Sequence, residues 1–197
     1  MDKKLQKYIE RYEVIQNTNT HTLVPNGGMS VFINQENACD IVMANKTHVL
    51  EPFEAVLLNA YEDTILIQSK HPLNFLAIRF KGAGASFFYE EQMQTLMQSP
   101  NEPIFIEKNL SESTIEIYLK NRLSPSQLPF NIMKIIALLD QQGIDYNIDE
   151  ILAIANIPRK ILDKIFNLRT GLTFKAYAGV RESSHENLRT SLERFDN

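Results

Sequence analysis

A single cysteine is all that this chain of 197 residues carries. Cys39 therefore has no intrachain disulfide partner, and one thiol is no framework for a structural metal. A reducing compartment fits that usage. Long apolar runs are missing as well. No stretch approaches the roughly 18 consecutive apolar residues that a membrane-crossing helix needs. Met1-Asp2-Lys3-Lys4 leads into a mixed amphipathic run rather than an apolar signal core. The chain is expected to be cytoplasmic, with no membrane partner. An excess of positive charge is also lacking: 20 Lys and Arg stand against 24 Asp and Glu, a net charge of −4. That balance argues against bulk coating of nucleic acid, so any such contact must be local. The phosphate-loop and dinucleotide glycine patterns do not occur, nor does a G-x-S-x-G nucleophile turn. No catalytic residue and no cofactor are expected, and the chain is read as not an enzyme. There is no internal repeat and no low-complexity tract.

What is present falls into two parts. Residues 1–12 place Leu5, Tyr8, Ile9 and Tyr12 at helical spacing, which suits a short helix or an extended entry. From Val14 to about Phe80 the apolar runs are short and rich in β-branched and aromatic residues. They are Val14-Ile15, Thr22 to Val24, Met29 to Ile33, Asp40 to Met43, Ala55 to Leu58, Thr64 to Gln68 and Leu73 to Phe80. Turn-forming breaks separate them, Pro25-Asn26-Gly27-Gly28 being the clearest, and the pattern predicts an antiparallel sheet or small barrel. After Phe80 the period becomes helical. Helices are expected over Ser86 to Met97 and over Ser111 to Leu123 with Ser111 as N-cap, and Pro103 to Glu107 is a last extended piece. Ser124-Pro125-Ser126 is the best boundary by composition. Phe130 to Leu139 form an apolar helix that stops at Gly143, and Asn147 caps the next, with Ile148, Ile151, Leu152 and Ala155 facing inward. The expected class is α+β: a barrel-like domain over residues 1–124 with trailing helices, then a helical domain over residues 125–197.

The local charge that composition demands lies between Asn156 and Arg181. Arg159, Lys160, Lys164, Arg169, Lys175 and Arg181 stand there against Asp163 alone. At about 100° per residue, Ile161, Leu162, Ile165, Phe166 and Leu168 share one arc of a helix, and Lys160, Asp163, Lys164 and Asn167 the other. Gly171 supplies a left-handed stop, and Thr173 caps a further long helix reaching about Glu193. The register of Leu162, Lys164, Ile165, Phe166, Gly171, Thr173, Phe174, Tyr177 and Arg181 resembles that of AraC-type helix-turn-helix regulators. Tyr8-Ile9, Val24-Pro25-Asn26-Gly27 and the run Ala77 to Ala85 are similar to the domain often found in front of such regions. The resemblance implies an N-terminal antiparallel cupin-like barrel or sheet for sensing and dimerisation, and a C-terminal bundle with one helix-turn-helix. The second helix-turn-helix of such regions is lacking before Asn197, so the chain is read as a truncated or naturally half-length relative.

The function implied is that of a transcriptional regulator binding double-stranded DNA, responsive to a small-molecule effector and working as a homodimer. The alternative is a ligand-binding or protein-interaction module that keeps the fold without DNA recognition. Lys160, Lys164 and Asn167 suit phosphates and base edges, with Arg159, Lys175 and Arg181 beside them. Asp163, on the same arc, would repel the DNA backbone. Phe32, Phe53, Tyr61, Phe75 and Phe80 are the aromatic candidates for an effector pocket, each also suited to plain core. His21, His48, His71 and His185 lack the spacing of a metal set, and His48 with Glu51 and Glu54 comes nearest to one. No metal is expected. Ile115, Leu119 and Leu123 form an apolar stripe that suits either a dimer contact or packing within the chain.

Overall fold

The computed structural model describes residues 2–23, 28–59, 64–99, 102–124, 132, 134–136, 138–139 and 147–182. Nine strands are found among them: β1 (Ile9–Gln16), β2 (Thr20–Leu23), β3 (Ser30–Asn34), β4 (Cys39–Met43), β5 (Lys46–Leu50), β6 (Glu54–Leu58), β7 (Ile65–Gln68), β8 (Asn74–Phe80) and β9 (Ile104–Lys108). The helices are α1 (Glu90–Gln98), α2 (Ile115–Arg122), α3 (Ile148–Ala155), α4 (Arg159–Thr170) and α5 (residues 174–182). Short 3-10 turns stand at Leu5–Lys7 and Gly84–Phe87.

Strand alternation sets the layers. Along β8, Phe75 and Ala77 point to one side and Leu76, Ile78 and Phe80 to the other. The same split separates Phe32 from Val31 and Ile33 on β3, and Val56 and Leu58 from Ala55 and Leu57 on β6. Every residue of β3 is buried, because its sheet is covered on both faces. That inner sheet runs β1-β8-β3-β6-β9, and the outer sheet runs β2-β7-β4-β5. All the pairings are antiparallel. The first eight strands distribute themselves over two four-stranded sheets as in a jelly roll, with β9 added beside β6. One apolar layer fills the space between the sheets. A second lies between the inner sheet and the helices.

Several expectations shift in position. The N-terminal run is a 3-10 turn followed by β1, with a bulge between Ile9 and Arg11 that changes which side chains face the helices. β5 was not expected, since of its five residues only Leu50 is buried. A two-residue turn makes it, with Ala44 (φ 48°) and Asn45 (φ 62°) both left-handed, as a type I′ hairpin requires. The expected helix from Ser86 is broken before Glu90. Phe87, Phe88 and Tyr89 are all buried, and an unbroken α-helix would splay three successive rings 100° apart. Gly84 sits so close to the Tyr8 carbonyl that a side chain there would collide with it.

α2 begins four residues after Ser111. The Ser111 carbonyl accepts the Ile115 N–H at 3.0 Å, and its hydroxyl meets that of Thr114 at 3.1 Å, so Ser111 closes a turn instead of capping a helix. The α2 stripe packs within the chain: Ile115 and Leu119 are buried, while Ile117 is 63% exposed. Between residues 132 and 139 the described positions are helical, and Ile132, Ile135, Ile136 and Leu139 are buried. The expected turn at 25–27 and the stop at Gly143 lie outside the described residues. No helix among the described residues is long and apolar enough to cross a membrane.

Candidate nucleic-acid interface

The α3-turn-α4 unit is built from local hydrogen bonds that its sequence specifies. Asn147 Oδ1 accepts the Asp149 N–H at 2.9 Å, capping α3, whose first turn carries Asp149 and Glu150 where the helix dipole favours them. Asn156 ends α3 in the left-handed conformation (φ 49°, ψ 38°), which asparagine tolerates better than most residues. Pro158 precedes α4 with its φ at −59° and gives no side-chain cap. Its carbonyl accepts from Ile161 and Leu162. α4 then buries Leu162, Phe166 and Thr170, one turn apart, with the Phe166 ring 5.3 Å from Phe174 and 5.5 Å from Tyr177. The Thr170 hydroxyl donates to the Phe166 carbonyl at 2.8 Å. Gly171 closes the helix at φ 75°. Thr173 Oγ1 accepts the Ala176 N–H at 3.2 Å and so starts α5.

This inward face is rotated from the expected arc. Ile165 and Leu168 are half-buried, and Ile161 is 47% exposed. Thr170 takes an inward position because its hydroxyl is satisfied by backbone. Arg169 is also turned inward, with 12% of its side chain exposed and its Nη1 3.5 Å from Glu90 Oε1 at the start of α1. Arg159, Lys160, Lys164 and Lys175 are exposed, and Asn167 and Arg181 are partly buried. Lys160 and Lys164 stand one turn apart on the side of α4 opposite its core contacts, with Asn167 three residues on.

Asp163 does not join that face as expected. Its Oδ1 accepts the Phe174 N–H at 3.1 Å. The carboxylate therefore faces the positive end of α5, where it satisfies one of the first unpaired helix donors. Sequence reading missed this role because the partner lies eleven residues away, beyond any capping pattern within one helix.

The five aromatic pocket candidates do not converge. Phe32 and Phe75 meet in the inter-sheet layer with centroids 6.3 Å apart. Phe80 lies on the opposite face of the inner sheet against Phe88 and Tyr89. Phe53 is 49% exposed in a left-handed turn position. Tyr61 lies outside the described residues. Outside the jelly roll, a cleft of about 530 Å³ opens between α1 and the end of α2, lined by Phe87, Phe88, Glu90, Glu91, Gln92, Arg122 and Ser124. Among the described residues no group of three or more His, Cys, Asp or Glu is placed to hold a metal. Of the set nearest to one, Glu54 is engaged by Lys108 at 2.8 Å and by the Glu51 N–H at 3.1 Å.

Jelly roll and helix-turn-helix together make an AraC-like fold. The solved structures similar to this chain include ToxT from Vibrio cholerae, an AraC-family regulator, at 13% identity and a TM-score of 0.52, over 89% of this chain and 81% of that one. ToxT from Vibrio cholerae O395 bound to (E)-4-(8-methylnaphthalen-1-yl)but-3-enoic acid matches at 13% identity and 0.52, over 95% and 85%. Unsaturated fatty acid bound wild-type ToxT from Vibrio cholerae strain SCE256 matches at 12% and 0.52, over 96% and 82%. At that identity the likeness is one of fold. No family model matches the chain, and neither does any curated protein.

Proposed function

We propose that the chain is a cytoplasmic AraC-like transcriptional regulator that binds double-stranded DNA with the exposed face of α4. The observation that carries the reading is the pairing of Lys160 and Lys164 on the outer side of a capped helix-turn-helix, with Asp163 turned away to α5. Arg159 and Lys175 extend the basic surface toward phosphates, with Asn167 and Arg181 at its edge. One such unit contacts few base pairs, so useful affinity calls for a homodimer on two half-sites. The similar ToxT structures that hold a fatty acid or a naphthalenyl butenoic acid support responsiveness to a small-molecule effector. In this reading residues 1–124 sense and dimerise, and residues 125–197 contact DNA.

A salt titration of duplex binding tests it. Affinity is expected to fall steeply with salt, and Lys160→Ala and Lys164→Ala are each expected to weaken binding and lower the log–log slope by about one. Absence of binding at low salt by the folded protein sinks the reading. That outcome favours the protein-interaction alternative, for which the exposed Ile154 and Ile161 on the same unit offer apolar contact surface.

A further inference from the structure

The rotation of α4 turns outward an apolar side chain that the sequence pattern places inward. Ile161, the third residue of the helix, is 47% exposed. The isoleucines four residues to either side, Ile157 and Ile165, are half-buried against the cluster that joins the helices to the inner sheet. At about 100° per residue, Ile161 lies about 140° round the helix from Phe166, a residue of the buried face, and about 60° from Lys164. Three residues apart on one helix, Ile161 and Lys164 are neighbours. Arg159 and Lys160, both exposed, come just before them. An isoleucine therefore stands uncovered within the basic face of α4.

Its neighbours indicate what covers it. The centre of a protein–protein contact is depleted in lysine, and taking Lys160 and Lys164 out of water costs more than half of one isoleucine returns. Duplex DNA offers phosphates to the cations and, in the major groove, one apolar feature, the C5-methyl group of thymine. A recognition helix meets base edges with its N-terminal residues, and Ile161 lies in that first turn, over which Pro158 places no capping side chain. The lysines, on flexible four-carbon stems, suit phosphates at several positions. A β-branched side chain is stiff at χ1 and meets only the group in front of it. Charge supplies affinity on this face, and Ile161 supplies shape.

We propose that Ile161 is a specificity-determining residue of α4, packing on the methyl group of a thymine, so that each half-site holds an A·T pair opposite the first turn of the helix. This deepens the regulator reading above and rests on it. The probe is a duplex that the full chain enriches from a random-sequence pool at low salt. Replacing its thymines one at a time by deoxyuridine removes the methyl group and keeps every hydrogen-bonding edge. At one position in each half-site this is expected to weaken binding about fourfold, the worth of one buried methyl-sized group. The Ile161→Ala chain is expected to bind the thymine and uracil forms alike, and Ile161→Val to keep discriminating. Lys164→Ala is expected to weaken both forms equally and lower their salt slope, leaving the ratio between them unchanged. Because Ile161 is exposed, the helical circular dichroism of Ile161→Ala is expected to match that of the parent chain. DNA binding indifferent to uracil at every position, or an Ile161→Ala chain that still discriminates, would overturn the methyl contact and leave the regulator reading standing. Self-association that Ile161→Ala abolishes, with thymine discrimination unchanged, would assign the side chain to a protein contact and overturn it likewise. A pool from which no duplex is enriched would overturn both.

Discussion

Asp163 sits among the cations of α4, yet its carboxylate is committed to the Phe174 N–H. Removing it leaves a helix N-terminus short of a partner. Asp163→Ala is expected to lower stability by about 1 kcal/mol in urea unfolding, as for the loss of an N-cap. His21 gives the pH dependence at this scale. Its folded pKa lies below the ordinary histidine value of 6.5, chiefly through burial, so below pH 6.5 the unfolded chain takes up a proton that the folded chain refuses. Its contribution is full above 6.5 and is lost as the pH falls through the folded value. His21→Phe is expected to flatten the acid limb of a stability–pH profile measured from about pH 8 downward, a range that spans the ordinary histidine pKa. The residues readable in the sequence were those whose partners are local: Asn147, Gly171 and Thr173 all hold their expected cap positions. Asp163, Arg79 and His21 were not readable, because each depends on a partner fixed only by tertiary contact or by strand register.

Elements differ in how their local sequence declares them. Most strands carry a run of apolar or β-branched residues, and their positions were legible for that reason. β5 was not, since Lys46, Thr47 and Val49 are exposed at a sheet edge and the hairpin turn lacks the Asn-Gly signal. Ala44 adopts a left-handed conformation there, which costs about 1–2 kcal/mol for a residue with a Cβ and no local hydrogen bond to offer. Replacing Ala44-Asn45 by Asn-Gly matches the turn and is expected to raise stability by about 1 kcal/mol in chemical denaturation. The stripe of α2 shows the converse limit. Apolar spacing revealed that Ile115 and Leu119 are buried, but not whether the inner layer or a second chain covers them.

At the scale of the whole molecule, one buried cluster joins the inner sheet to the helices. Val31, Leu57 and Ile78 belong to it, and so do Ile151, Leu162, Phe166, Phe174 and Tyr177. The composition change at Ser124-Pro125-Ser126 does not interrupt that cluster. A shared core couples the stability of the parts that build it. Unfolding followed by helical circular dichroism and by the His21 resonances is expected to give coincident midpoints; two separated transitions would show that the sheet and the helices melt independently.

Gly171, the stop of α4, lies so near the Asn59 side chain at the end of β6 that even a methyl group would collide there. α4 is thus seated on the jelly roll itself, with Arg169 reaching Glu90 as a second fixing point. These contacts set the bearing of its basic face relative to the sheets. In the proposed dimer through the jelly rolls, that seating would hold the two α4 faces at a set separation. If the proposed regulator pairs on DNA in that way, inserting a few base pairs between two half-sites is expected to weaken paired binding, as titration of duplexes with different spacings would show.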